Sequence, residues 1–332
     1  MKRIVNYIVL ALVTSLVLYF SLKDNFSDIM HQLFTMKLSW LIVAFTMVII
    51  FWLLRSWAIH IFSKQVKKDY KYSNSFLLTM RTQFMNAVTP FATGGQPYQV
   101  YFLSKCGIKP EIATGVIVQN FIVYQIALVS LGLIALISNS IFHIFPKNGL
   151  LARLIVLGFI INTIVIIVLF IISFAKKINK KIINITIRVL SKLKLIKDKE
   201  KTLSNWDQYI TDFHANASIL LKNKKMFIFT IFLNFLALIC LYSIPLFILY
   251  AMDNFYSINL YETVITSAYV MLIGSFVPIP GGTGGLEFGY AKFYGFFVKG
   301  SILSASMLIW RFITYYFGLI IGAIAMNIKR VK

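Results

Sequence analysis

The 332 residues are 59% hydrophobic and only 13% charged, with a mean hydropathy of +0.79, against roughly 25% charged residues in soluble domains. The apolar residues fall in long blocks along the whole length, which excludes a disordered chain, a disulfide-stapled secreted fold and a soluble enzyme with a membrane tail. Thirty-three Lys and Arg stand against eleven Asp and Glu, a net charge of +22, and the positions of those cations separate a nucleic-acid surface from the basic loops of a polytopic membrane protein.

Residues 4–22 carry no charge and would form a helix of about 28 Å, close to one hydrocarbon thickness. Lys2 and Arg3 precede this run as they would in a cleavable signal, but no small-x-small site follows Leu22 and the block is too long. Blocks from Leu38 to Phe62, Ile112 to Ile137, Leu154 to Ala175, Met226 to Tyr250 and Ile302 to Met326 bring the predicted full spans to six. Two further apolar blocks are interrupted. Phe76 to Leu103 is broken by Arg81, Pro90, Gly94, Gly95 and Pro97, and Thr263 to Lys299 by Pro278, Pro280 and a glycine cluster. Neither can be one straight helix.

With the N-terminus in the cytoplasm, Lys64, Lys67, Lys68, Lys71, segment 176–225 and the tail with Lys329, Arg330 and Lys332 share its side. Lys105 and Lys109 join them only if the first broken block enters from the cytoplasm and returns to it; the second then enters and returns from outside. This assignment leaves 24 of the 33 cations cytoplasmic, five outside, and four within apolar blocks: Arg55, Arg81, Lys292 and Arg311. The expected fold is therefore all-α and polytopic, with six full spans and two oppositely oriented re-entrant broken hairpins. That placement suggests an inverted repeat, although no residue-level internal homology supports it. Residues 1–332 form one transmembrane domain, within which 176–225 is a basic cytoplasmic loop. Its 13 Lys or Arg against four acids point to the anionic inner leaflet as partner rather than RNA. The spacing of Leu203, Trp206, Ile210, Phe213, Ala217 and Leu220 predicts an interfacial helix over 203–221.

Non-helical backbone is tolerated in hydrocarbon only where protein or a water-filled cavity surrounds it, so the two breaks predict a central polar cavity. In the first, a half-helix starting at Pro97 would aim its free N–H groups at that cavity, with Gln96 and Gln99 as substrate ligands or as interhelical hydrogen-bonding groups. In the second, Pro280, Gly281, Gly282, Thr283, Gly284 and Gly285 lead into Glu287, the one acid placed inside the membrane. Arg311 sits mid-way along the last span. Burying either charge alone is costly, and Lys292, Arg311 and Arg81 are all candidate partners for Glu287.

The bland alternatives are close helix packing for the glycines, a structural ion pair for Arg311, and an interfacial reach for Arg81. Arg55, near the end of its span with His60, reads as snorkelling. Gln119, Asn120 and Gln125 read as interhelical bonds. The glycine run lacks the Gly-Lys-Ser/Thr ending of a phosphate-binding loop. His31, His60, His143 and His214 lack metal-ligand spacing, and Cys106 and Cys240 form no disulfide framework. No metal, cofactor or catalytic set is expected.

Pro90 with Gly94-Gly95-Gln96, the stretch Leu103 to Ile108, the run from Pro280 to Glu287 and Arg311 resemble the flippase-like transmembrane region of lysylphosphatidylglycerol synthases, in a stand-alone form. The second run is the specific part. Many relatives carry an acid where Gln96 stands and a basic residue near Gln99, so amide hydrogen bonding replaces charge in the first hairpin. The resemblance implies a multi-pass protein of a bacterial-type plasma membrane that binds or translocates anionic or aminoacylated phospholipids. Its lipid-binding residues would be Arg81, Pro90, Gly94, Gly95, Gln96, Gln99, Pro280, Gly281, Gly282, Thr283, Gly284, Glu287 and Arg311. In two-part members a soluble domain transfers lysine from lysyl-tRNA to phosphatidylglycerol; that module is expected to be missing here, and a tRNA would enter only with a transferase partner. A non-catalytic scaffold and a homo-oligomer stay open.

Overall fold

The structure is a computed structural model that describes residues 26–146, 149–192, 198–274 and 277–328. Among the described residues it is helical throughout, with no strand. Five helices are long and apolar enough to cross a bilayer: α2 (Leu38–Val66), α5 (Pro110–Phe142), α6 (Leu150–Phe174), α9 (Lys224–Ala251) and the composite last span Gly300–Asn327. Within such segments every backbone group is satisfied by the helix itself, which is why uncharged sequence of this length folds this way. The predicted first span, residues 4–22, and the basic tail lie outside the described residues.

Between the long helices stand shorter ones. A short α1 (Phe26–Thr35) precedes α2. The first broken block is α3 (Tyr72–Ala87), a 3-10 turn at Pro90–Ala92, and α4 (Gly95–Lys105). The second is α10 (Leu260–Gly274), a turn at Pro280–Gly282, and α11 (Gly285–Tyr294). The last span consists of α12 (Gly300–Arg311), a π-helical turn Phe312–Tyr316 and α13 (Phe317–Asn327). Local sequence sets several of these ends. Asn223 accepts from the Met226 N–H at 3.1 Å to cap α9, and Asn259 and Glu262 exchange side-chain to backbone bonds of 2.9 and 3.0 Å at the start of α10, a reciprocal cap.

Contacts at the helix ends fix the sense of the two hairpins. Lys67, just past α2, donates from Nζ to Cys106 O at 2.8 Å, so α3 and α4 leave from and return to the lysine-rich end of α2. At the other end, the Lys37 N–H donates to Ala251 O at 2.8 Å, which sets α2 and α9 antiparallel. On that second face Phe145 packs against Phe293 and Phe297 at 5.1 and 6.0 Å between ring centres, and Phe142 meets Tyr261 at 6.0 Å. The second hairpin therefore enters from the face opposite the first, and the turns at the two tips touch.

The order long helix, short helix, turn, short helix, long helix occurs twice, over residues 38–142 and 224–327, and the packing repeats with it. The two leading helices, α2 and α9, pack against each other. The first arm of each hairpin packs against the closing span of the other half: α3 against α13, and α10 against α5. Small residues permit close approach: a Cβ on Gly322 of α13 would stand 2.7 Å from the Phe84 nitrogen of α3, and where α6 also packs on α10 one on Gly158 would stand 2.3 Å from the Leu272 carbonyl oxygen. This is an inverted repeat.

The loop 176–225 differs from its expectation. It holds two helices, α7 (Lys176–Lys192) and α8 (Lys199–Lys222). In the helix expected at the interface over 203–221, Ile210 and Phe213 are buried and Trp206 is exposed; α8 packs on α5, and Tyr209 Oη lies 2.7 Å from Thr114 Oγ1. A longer exposed apolar stripe runs along α7, where Ile178, Ile182, Ile185 and Val189 recur at helical spacing beside Lys177, Lys181 and Arg188.

Candidate functional site

The two hairpin tips are built alike. Pro90-Phe91-Ala92-Thr93-Gly94-Gly95 and Pro280-Gly281-Gly282-Thr283-Gly284-Gly285 share the pattern Pro-x-x-Thr-Gly-Gly, a repeat that the sequence reading did not detect. In both, the two residues after Pro have positive φ: 52° and 53° at Phe91 and Ala92, 68° and 63° at Gly281 and Gly282. In both, the Thr hydroxyl donates back to the Pro carbonyl at 2.9 Å. Two successive left-handed residues turn the chain within the width of one helix. Glycine does this at little cost, whereas Phe91 and Ala92 are strained.

The charged centre belongs to the second tip. Glu287, in the first turn of α11, accepts the Gly284 N–H at 2.7 Å through Oε2, and its Oε1 lies 2.7 Å from Arg311 Nε, although that N–H does not point squarely at it. One Arg311 amino group donates to Gly281 O at 3.1 Å and to Thr283 Oγ1 at 3.2 Å. The guanidinium also lies 4.7 Å from the centre of the Tyr315 ring. Arg311 closes α12, and the π-helical turn that follows carries Tyr315 over Gly281 and sends its hydroxyl to Ala87 O of the first hairpin at 3.0 Å. One aromatic side chain thus touches both tips.

Glu287, Arg311 and Thr283 are 8%, 5% and 2% exposed, so the pair is covered by protein and does not line an open chamber of the kind the breaks led us to expect. The seat at the α11 N-terminus is likewise filled by Glu287's own carboxylate. Of the candidate partners for Glu287, Arg311 holds it; Lys292 is exposed beside the Phe288 ring.

Arg81 is elsewhere. Its Nε donates to Ala325 O at 2.9 Å and an amino group to Ile328 O, with a second amino group on Tyr98 Oη at 3.2 Å. It therefore caps the last carbonyls at the end of α13 and does not join Glu287. Gly94 and Gly95 pack against Thr89 and Asn86, where a Cβ would come within 2.6 and 2.1 Å. Gln99 is buried and Gln96 half-buried on α4, which begins at Gly95 rather than Pro97. Gln125 reaches Asn162 at 3.4 Å, as an interhelical bond should. Arg55 does not snorkel; it is held between helices by Asn234 and Tyr124.

Comparison with known proteins agrees with this picture. A curated protein of Archaeoglobus fulgidus, described as a UPF0104 membrane protein, is 26% identical over 306 residues, 88% of this chain and 87% of its own length. The family model described as Lysylphosphatidylglycerol synthase TM region matches residues 6–322, a stretch that takes in both hairpins, Glu287 and Arg311. With two Pro-x-x-Thr-Gly-Gly tips meeting inside an inverted repeat and that match running almost end to end, the chain belongs to the lysylphosphatidylglycerol synthase transmembrane-region family.

Proposed function

We propose that the protein moves phospholipid between the leaflets of a bacterial-type plasma membrane, with the headgroup crossing at the meeting point of the two hairpin tips. The observation that carries this reading is the ion pair Glu287–Arg311 set at the contact of two helix breaks that enter from opposite faces. A buried pair with hydrogen-bonding loops around it suits a headgroup bearing both signs. When the tips part, a lipid phosphate replaces Gly281 O and Thr283 Oγ1 as the partner of Arg311, and an aminoacyl or other amino group takes Glu287. An anionic headgroup uses Arg311 alone. The acyl chains stay in the bilayer throughout.

The lysine-rich face is cytoplasmic in this reading, with both termini on that side. There α7 lies in the anionic inner leaflet, with Ile178, Ile182, Ile185 and Val189 in the acyl boundary and Lys177, Lys181 and Arg188 at the phosphates. The test is reconstitution into liposomes with fluorescent phosphatidylglycerol and a membrane-impermeant quencher. The wild-type chain equilibrates the label between leaflets, and Arg311→Gln slows it at least tenfold. No movement by the wild type, or unchanged movement by Arg311→Gln, refutes the reading. Conversion of the headgroup in place of movement would make the protein an enzyme.

A further inference from the structure

Arg55 lies in the interior of α2, facing α5 and α9. Its guanidinium carbon stands 4.1 Å from the centre of the Tyr124 ring, and one amino group donates to Asn234 Oδ1. Asn234 is wholly buried and is fixed by donating to Thr230 O at 2.7 Å. The other Arg55 N–H groups have no partner among the described residues. Arg311, which is buried, has Glu287; Arg55 is half-buried, and no carboxylate lies within 4.0 Å of it among the described residues.

The sequence shows that none can be supplied by the neighbouring spans. α2 and α9 contain no acid, and α5 has only Glu111 in its first turn. An aromatic face and an amide oxygen soften the desolvation of a guanidinium, but they do not neutralise it. Beside it is an unused polar group. Asn120, one turn before Tyr124 on the same face of α5, is 4% exposed with Oδ1 unpartnered.

We propose that the seam between α2, α5 and α9 binds a phosphate-bearing anion, with Arg55 carrying the charge complementarity. Asn234 and Tyr124 position the guanidinium, whose planar fork matches two phosphate oxygens. The Asn120 amide, with no partner of its own, turns Nδ2 toward the same anion. The phosphate arrives on a phospholipid from the leaflet at the lysine-rich face, or free from solution. This site shares no residue with Glu287 and Arg311 and stands or falls apart from the translocation reading.

The test uses the full chain, delipidated in a neutral detergent and titrated separately with dioctanoyl-phosphatidylglycerol and with inorganic phosphate, with binding read by native mass spectrometry. The expected result is one ligand whose affinity falls at least tenfold in Arg55→Gln and Asn120→Leu and is partly kept in Arg55→Lys. Binding of the lipid alone identifies the headgroup as the source; binding of both identifies the phosphate itself. Equal binding by wild type and Arg55→Gln, or no binding of either probe, overturns the proposal. Should Arg55→Gln fail to fold, phenylglyoxal labelling of the wild type decides: the ligand is expected to protect Arg55 at least fivefold, and an unprotected or unreactive Arg55 overturns the site.

Discussion

Replacing Glu287 by Gln removes one charge from the hairpin junction and almost nothing of its shape. At an effective dielectric of about 20, two unit charges 2.7 Å apart attract by about 6 kcal/mol. Most of that offsets the cost of bringing both charges into the protein, so the pair's net worth is small. The single variant measures something else, the penalty of leaving Arg311 buried and alone, about 3–5 kcal/mol. Gln retains an oxygen for the Gly284 N–H, so the α11 cap survives and the loss is that of the charge. The reverse variant, Arg311→Met, should cost less, because the stranded carboxyl can take up a proton whereas a guanidinium cannot shed one. The double variant should cost less than the sum of the two by about 1–3 kcal/mol. Thermal survival of the monodisperse peak in detergent falls from wild type to Arg311→Met to Glu287→Gln, and the double variant stands above the level that the two single losses added together would give. If Glu287→Gln survives as well as wild type, or the two single losses simply add, then the pair is not the buried, mutually dependent unit described above.

Gly281→Ala combines a left-handed backbone, costing about 1–2 kcal/mol, with a Cβ 2.3 Å from the Tyr315 ring, costing about 1–3 kcal/mol more. Gly300→Ala, at φ 60° with nothing within 4 Å, bears only the first cost, so equal melting of the two variants would remove the Tyr315 contact from the account. Burial holds His214 below its usual value, with the Lys176 charge acting the same way against a bond to the Ser173 backbone. The α7–α8 contact through Asn179, 3.0 Å from His214 Nε2, is therefore fully present above about pH 6.5 and is lost as the pH falls below it. Faster trypsin cleavage within 176–225 below pH 6 in wild type, absent in His214→Gln, is the expected result. Ile182→Trp on α7 should fluoresce as a membrane-embedded indole, quenched by brominated acyl chains in anionic vesicles; a solvent-like spectrum would place that face away from lipid.

What the sequence made legible followed from physics that acts locally. Uncharged stretches of span length became helices, and Pro with Gly ended them where hydrocarbon cannot satisfy a free backbone group. Lysine placement gave the sense of both hairpins, and Glu287, the one acid placed at depth, was singled out as needing a partner, which is Arg311. What stayed hidden depended on pairing at a distance. Arg81, Arg55 and Arg311 are the same residue type in similar apolar surroundings, yet one caps the end of α13, one stacks on Tyr124, and one meets Glu287. The helical spacing at 203–221 was real, but an apolar stripe carries no sign of whether lipid or protein will cover it. The repeated Pro-x-x-Thr-Gly-Gly was visible in the letters; the apolar spans around it, whose residues interchange freely against lipid, obscured the kinship of the halves.

The repeat has one consequence that neither half has alone. Backbone turns, hydroxyl bonds and flanking helices are matched between the two tips, but the charges are not: where the second tip continues into Glu287, the first continues into Pro97. The charged pair therefore belongs to one half only. Tyr315 marks the point of closure, its ring on Gly281 and its hydroxyl on Ala87 O at 3.0 Å, and Arg311 four residues earlier is covered by the same turn. Any movement that separates the tips breaks the Tyr315 contacts and uncovers Arg311 together. In the proposed translocation the two charges satisfy each other until the tips part, so opening must precede headgroup recognition at this junction.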